Sequence, residues 1–229
     1  MDFVYTGLKT TKTCLLIGLL LTNACLSSEA TTRLRTAGRV VDVTGDATAK
    51  DTFSESRPLY RRDTILPGDT VSTASTSNVQ LRMNDSALIV LGCDSSLKLE
   101  KYQFEKDHND IVELELLQGS IRTLTGYVGS QNRDGYKFTV EGIEIEVQGT
   151  DFEVHRQADG NVYFGNYGGS IAIKNSLGSL DLGIGHNFDF AIAEPEQAPR
   201  GLKNPPQVFL DNALSFLTPL TQPTFCNQR

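Results

Sequence analysis

The stretch VEGIEIEVQGTDFEV, residues 140–154, alternates apolar and acidic side chains, breaks at Gln148-Gly149-Thr150, and then resumes. Successive side chains of a strand point to opposite faces, so Ile143, Ile145 and Val147 share one face. Beyond the break the apolar residues are Phe152 and Val154, and the parity has changed. Glycine reaches backbone angles closed to other residues, and an extra residue in a strand shifts its parity and bends it. The break therefore reads as a bulge or tight corner with Gly149 as pivot, in preference to a ligand site. Thr150 is expected to bond the local backbone.

The same grammar extends in both directions. Gly38 to Thr44, Val79 to Met83, Ser96 to Glu100, Ile111 to Leu117, Ser120 to Leu124, Lys137 to Val140, Val162 to Phe164 and Ser170 to Ile173 all read as short strands. Gly-Asp, Asn-Asp-Ser and similar turn residues separate them. Ala87 to Leu91 is wholly apolar and predicts a strand buried on both faces. Short strands at spacings near ten residues predict an all-β fold, an antiparallel β-sandwich of jelly-roll type, with a short β-solenoid as the alternative.

The two ends differ from this body. Lys9 and Lys12 precede the apolar run CLLIGLLL (14–21), and Ser28-Glu29-Ala30 places small residues where a signal peptidase reads, so residues 1–30 are expected to be a secretory signal peptide. The run is short for a membrane span. Lipid anchoring at Cys25 is disfavoured by Thr22 three residues earlier. Residues 35–193 form the β domain. Residues 194–229 form a Pro-rich tail in which Val208, Phe209, Leu210, Leu214 and Phe216 suggest a short helix docking on the sandwich by one apolar face. The stretch around Pro195 and Pro199 is not expected to hold a ladder.

Composition narrows the partners. The net charge is −7, and the 1–30 segment contributes nothing to it. An acidic chain without a basic run repels phosphate backbones and anionic membrane surfaces. Outside the leader two cysteines remain, Cys93 and Cys226. In an oxidising compartment they permit one disulfide, worth about 4–5 kcal/mol in the chain-entropy account; otherwise Cys93 is a buried strand residue and Cys226 sits on a loose tail.

The order of these strands and turns resembles the FecR-type domain, a bacterial extracytoplasmic module. Gly38-Arg39-Val40 through Gly45-Asp46 resembles its opening strand. LPGDTVSTASTSNVQLRMNDSALIVLGCDSSLKLEKYQF (66–104) resembles its Gly-Asp turn, alternating strand, apolar strand and S-x-L-x-L segment. LLQGSIRTLTG (116–126) is similar to its L-x-x-G-x-x-R-x-x-x-G segment, and the 140–154 stretch to its strand ending in Arg-Gly-Thr. Residues 163–175 and 182–186 resemble its closing strands and G-x-G turn. Two positions depart from the pattern: Gln148 stands where arginine is usual, and Gly168-Gly169 where glutamate often precedes glycine. The resemblance implies the fold and a periplasmic or secreted location. The cytoplasmic helical region of signal-transducing members has no counterpart in the sequence.

Residues that carry chemistry are few. His108, His155 and His186 lack metal-ligand spacing, and no metal or cofactor is expected. Asp63, Asp69, Asp85 and Asp94 each neighbour a turn, where aspartate bonds nearby amides, although paired carboxylates also serve glycoside hydrolysis. Arg122, Tyr127, Asn132, Arg133 and Tyr136 gather guanidinium, amide and aromatic groups in IRTLTGYVGSQNRDGY (121–136), a mixture suited to a sugar or peptide. A surface loop with one weak ion pair near Asp134 is the plainer reading. The expected function is a non-enzymatic, exported binding module for an envelope protein, peptide or glycan, acting through loops or by strand addition. The alternatives are a wall-polysaccharide enzyme using Asp69 and Asp85, or a structural part of a surface assembly.

Overall fold

Strands shorter than about ten residues, each apolar on one side, bury that side only by stacking sheet on sheet. The structure, a computed structural model, describes residues 35–51, 55–211 and 214–216. The expected signal segment, Cys25 and Cys226 lie outside the described residues. All the described residues fall in the unit spanning 34–229.

The chain runs β1 (Gly38–Thr44), β2 (Ala47–Lys50), β3 (Arg57–Pro58), β4 (Thr64–Ile65), β5 (Thr70–Thr73), β6 (Asn78–Met83), β7 (Leu88–Leu91), β8 (Ser96–Gln103) and β9 (Ile111–Leu124). After α1 (Tyr127–Gln131) and a 3₁₀ turn (Arg133–Gly135) come β10 (Tyr136–Val140), β11 (Ile143–Val147), β12 (Asp151–Arg156), β13 (Val162–Gly168), β14 (Ser170–Asn175), β15 (Gly178–Gly183), β16 (Phe190–Ala193), β17 (Arg200–Leu202) and α2 (Gln207–Asp211).

Pairing sorts these strands into two sheets. Sheet I has the order β4-β1-β6-β7-β9-β12-β13-β16-β17. Sheet II has the order β3-β2-β5-β8-β9-β10-β11-β14-β15. Among the described pairs all are antiparallel except β9 with β10. Phe138 of sheet II meets Phe152 of sheet I edge to face, ring centroids 5.5 Å apart, across one apolar core. The all-β expectation stands. The facing sheets are those of a sandwich, while from β1 and β2 onward the strand order follows the chain, as in a solenoid, with β4 and β3 added outside them.

The 14-residue strand β9 belongs to both sheets. Val112 to Leu116 pair with β10 in sheet II, and Ser120 to Leu124 pair with β12 in sheet I. Sequence alternation divided it in two at Gln118-Gly119. The backbone instead continues through that point and changes sheet there.

The break at 148–150 has a related cause. β11 lies in sheet II and β12 in sheet I, so the parity flips because the chain crosses the sandwich. It is a corner and not a bulge. Gly149 has φ +68°, a conformation that favours glycine. The corner rests on the next one: a Cβ at Gly169, φ +73°, would stand 2.6 Å from Gly149 O and 2.9 Å from Thr150 Cγ2. The bulge lies one strand away, in β13, where the register shifts opposite Asp151 and Phe152 and leaves Tyr167 as the extra residue. The expectation for Thr150 is corrected as well. Its Oγ1 is buried without a hydrogen-bond partner among the described residues, and it is the Thr125 hydroxyl that accepts from the Thr150 N–H at 2.8 Å.

The ladder also takes up again directly after Pro199. Arg200 to Leu202 pair with Phe190 to Ile192, so β17 closes the far end of sheet I. α2 then carries the chain back over the outer face of that sheet.

Candidate functional site

The two sheets present different outer faces. On sheet II, β9, β10, β11, β14 and β15 form the floor of a groove of about 440 Å³. Alternation puts Glu113, Lys137, Glu144, Glu146 and Asp181 on this outward face, and Arg133, Gln148 and His186 stand at its ends. Lys174 pairs with Glu146 beside it. The lining is predominantly acidic.

β15 borders that groove as the last strand of sheet II. It pairs with β14 over all six residues without a register shift. Ile184 N–H donates to Gly169 O, while Gly183 N–H donates away from β14 to Phe188 O. In an antiparallel ladder the bonded pairs alternate. Leu180 and Leu182 therefore bond to β14, and the N–H and C=O of Ser179 and Asp181 point outward. Among the described residues no hydrogen bond reaches those outward groups. At the opposite end of the same sheet, β3 is two residues long and contains Pro58, the usual protection of an edge.

On sheet I the outward residues of β9 and β12 form a charged network. Arg122 Nε and Nη2 donate to the two carboxylate oxygens of Asp151, both at 2.9 Å. Burial alone would lower the Arg122 pKa, but the bonds and charge of Asp151 outweigh it and leave it raised. Glu153 lies opposite Arg122 on the paired strand. Its carboxylate meets His155 Nε2 at 2.5 Å and accepts from the Tyr167 hydroxyl at 3.1 Å. Burial first, then the charge of Glu153, raises the Tyr167 pKa, so the hydroxyl stays protonated and donates. The Tyr167 ring lies 4.3 Å from Arg122 Cζ.

The C-terminal segment covers this network. Phe209 packs edge to face on His155 at 4.7 Å and against Phe190 at 5.8 Å. Arg122 Nη1 donates to Leu214 O at 2.8 Å, and Gln80 Nε2 donates to Phe216 O at 3.2 Å. As a result Glu153 and His155 are only 1% and 2% exposed.

The five residues singled out in the 121–136 stretch do not come together. Arg122 lies under the C-terminal segment. Tyr127 opens α1, half exposed, with its ring 5.8 Å from Phe104. Asn132 Nδ2 donates to Asp110 O and ties the loop to the β8–β9 turn. Arg133 is exposed at the groove. Tyr136 is a core residue, 6% exposed, whose hydroxyl pKa is raised by burial and then by the charge of Asp85. Parity with Phe138 and Val140 was the signal that places Tyr136 inside. The network residues Asp151, Glu153 and His155 also alternate in sequence, but nothing local foretells their cover.

The turn aspartates hold backbone. Asp63 accepts from Tyr60 N–H at 2.8 Å. Asp69, fully buried, accepts from Leu66 N–H and from both terminal nitrogens of Arg57. Asp85 accepts from Ala87 N–H and the Tyr102 hydroxyl. His155 lies on β12 and His186 in the loop between β15 and β16, and among the described residues no group of three metal-ligating side chains converges. Cys93 is disulfide-bonded, to a partner outside the described residues. No described helix is long and apolar enough to cross a membrane.

No curated protein matches this chain. Among the solved structures that resemble it are two candidate anti-sigma factors from Parabacteroides distasonis ATCC 8503. One is 14% identical with TM-score 0.49, covering 62% of this chain and 64% of that one. The other is 14% identical with TM-score 0.44, covering 57% of each. The chain thus spans less than two thirds of either. The family model described as FecR protein matches residues 69–170, from the buried Asp69 turn through β13 to the first residue of β14. The chain carries a FecR domain, and the 140–154 stretch with its corner at Gly149 lies within it.

Proposed function

We propose that this chain is an exported, non-enzymatic interaction module of the bacterial cell envelope, and that it takes a partner protein by strand addition at β15. The observation that carries the reading is the outward edge of β15, an unbroken strand whose outward backbone groups at Ser179 and Asp181 no described residue meets. An added strand gains backbone hydrogen bonds there and needs no special chemistry. Its side chains would extend the floor of the acidic groove beyond Asp181, which favours a partner strand bearing lysine or arginine. The FecR domain supports a sensing or regulatory role, and the expected leader supports export. The engagement of Asp69 and Asp85 with buried backbone supports a binding role over hydrolysis, since neither carboxylate is presented to a substrate.

Ser179→Pro tests the edge directly. Proline removes the outward N–H and leaves the β14 ladder intact, a substitution that edge strands tolerate. Capture of envelope proteins by the mature chain is expected to be lost in this variant while its melting temperature stays close to that of the parent. Equal capture by both proteins would refute the edge as the docking element.

A further inference from the structure

We propose that the opposed arginines Arg39 and Arg82, with Leu88 and Leu124 beside them on the outer face of sheet I, dock a segment of a partner protein that carries both carboxylate and apolar side chains. This surface is separate from the β15 edge, and the proposal does not depend on that reading.

Strand register assembles the surface. Parity turns Arg39 outward from β1, between the buried Gly38 and Val40, and Arg82 outward from β6, between the buried Leu81 and Met83. The two arginines stand directly opposite each other. Arg82 pairs in turn with Leu88 of β7, Leu88 with Leu124 of β9, and Leu124 with Asp151 of β12. One row therefore crosses the sheet in the order Arg39, Arg82, Leu88, Leu124, Asp151. In the neighbouring row Gln80 and Arg122 donate to Phe216 O and Leu214 O. Beyond that contact Arg39 and Arg82 are exposed, Leu124 is 41% exposed and Leu88 is half-buried.

The first observation is the charge. Like charges directly opposite on paired strands sit with Cβ atoms about 5 Å apart and destabilise the pair. Arginine cannot relieve the repulsion by losing its proton. Among the described residues no carboxylate forms an ion pair with either side chain. The acids nearest in the register are placed otherwise: Asp151 gives both oxygens to Arg122, and Asp42 stands opposite Gln80. Arg61 and Arg62, both exposed, add to the field, since Arg62 N–H donates to Val40 O at 2.9 Å and sets their turn against β1 beside Arg39. Asp63 in that turn accepts from Tyr60 N–H. On a chain of net charge −7 this is a local reversal of sign, and its counter-charge is left for a ligand to bring.

The second observation is the apolar half of the row. A single exposed leucine is ordinary, but Leu88 and Leu124 are cross-strand neighbours and adjoin the arginine pair. Adjacent strands lie about 4.8 Å apart, so the centres of the two pairs are about 10 Å apart. A free anion would fill only the arginine half. A protein segment with carboxylates over the guanidinium forks, which take them bidentately, and apolar side chains about 10 Å further along covers both halves. The net charge of −7 disfavours a long polyanion or an anionic membrane at the same place. The ligand class is therefore an acidic and apolar segment of a protein.

The test titrates the full mature chain with the synthetic peptide acetyl-GEEGLLG-amide and follows amide shifts by NMR. Shifts should map to Arg39, Arg82, Leu88 and Leu124. The Arg39→Gln, Arg82→Gln double variant should bind about ten-fold more weakly, the loss of charge-assisted hydrogen bonds. The peptide acetyl-GQQGLLG-amide should lose as much on the parent, and acetyl-GEEGSSG-amide about three-fold, for the apolar area given up. A second readout needs no ligand. In melts at low salt the two single Gln variants should each gain stability, and the double variant should gain less than their sum, because either replacement removes the same repulsion. Absence of shifts at these residues with millimolar peptide would overturn the proposal, as would equal affinity in the double variant. So would inorganic phosphate or phosphatidylglycerol vesicles shifting the same amides as strongly as the peptide, which would assign the surface to a free anion or a membrane. A double-mutant cycle in which the arginines stabilise each other would also overturn it.

Discussion

The outer faces of the two sheets are built by the same alternation and meet opposite fates. On sheet II the outward residues Glu113, Glu144, Glu146 and Asp181 stay at the surface around an open groove. On sheet I the outward residues Arg122, Asp151, Glu153 and His155 are covered by a segment more than fifty residues further along the chain. Charge on the exposed face remains solvated and contributes little. Charge on the covered face had to be paired, and it is arranged as a bidentate ion pair and a three-residue hydrogen-bonded cluster. The difference shows that one strand pattern encodes where a side chain points but not what lies above it.

Five substitutions separate the shared core, the covered face, the corners and the open face. Phe152→Ala removes a fully buried ring in contact with Phe138 and should cost about 3–5 kcal/mol by chemical denaturation. It should loosen both sheets in one transition; two separated transitions would mean that the sheets do not share a core. Arg122→Ala leaves the Asp151 carboxylate without its partner and removes one anchor of the cover. About 1.5–3 kcal/mol should be lost, with faster amide exchange in α2 but not in β14 or β15.

The corner glycines give a finer contrast. Gly169→Ala places a Cβ against Gly149 O and Thr150 Cγ2 and adds strain at positive φ, at a cost of about 1–3 kcal/mol. At Gly149 the nearest atom to a new Cβ is Ser130 Cβ at 3.5 Å, so Gly149→Ala carries backbone strain alone and should cost about 1 kcal/mol. Thermal melts in which Gly149→Ala lowers the melting temperature more than Gly169→Ala would contradict the stacking of the two corners. The smallest effect belongs to the open face. Gln148→Arg, at the exposed end of the groove, should shift stability by no more than about 0.5 kcal/mol, and a larger loss would show that the groove is not open there.

Much of the fold was legible where alternation was clean. Ile143, Ile145, Val147, Phe152 and Val154 all face the core as their parity predicts, and in the apolar run at Ala87 to Leu91 both sides are buried at Ile89 and Val90, while Leu88 is half-buried. Parity alone could not distinguish a bulge from a change of sheet at Gly149, since both insert a phase shift. Gln118-Gly119 misled in the opposite direction: turn-like residues sit inside β9, where the strand passes from one sheet to the other. The helical turn at Tyr127–Gln131 is too short to show a period. The charged network was half visible, since Asp151, Glu153 and His155 alternate, but its cover rests on tertiary contacts from Phe209, Leu214 and Phe216.

The claim on which the proposed function rests is that β15 ends sheet II with a free edge. Residue-resolved amide exchange of the isolated chain by NMR tests it directly. The account predicts alternation along the strand, with Ser179 and Asp181 exchanging fast and Leu180 and Leu182 strongly protected. Protection of Ser179 and Asp181 equal to that of their neighbours would show the edge already paired and would contradict the account.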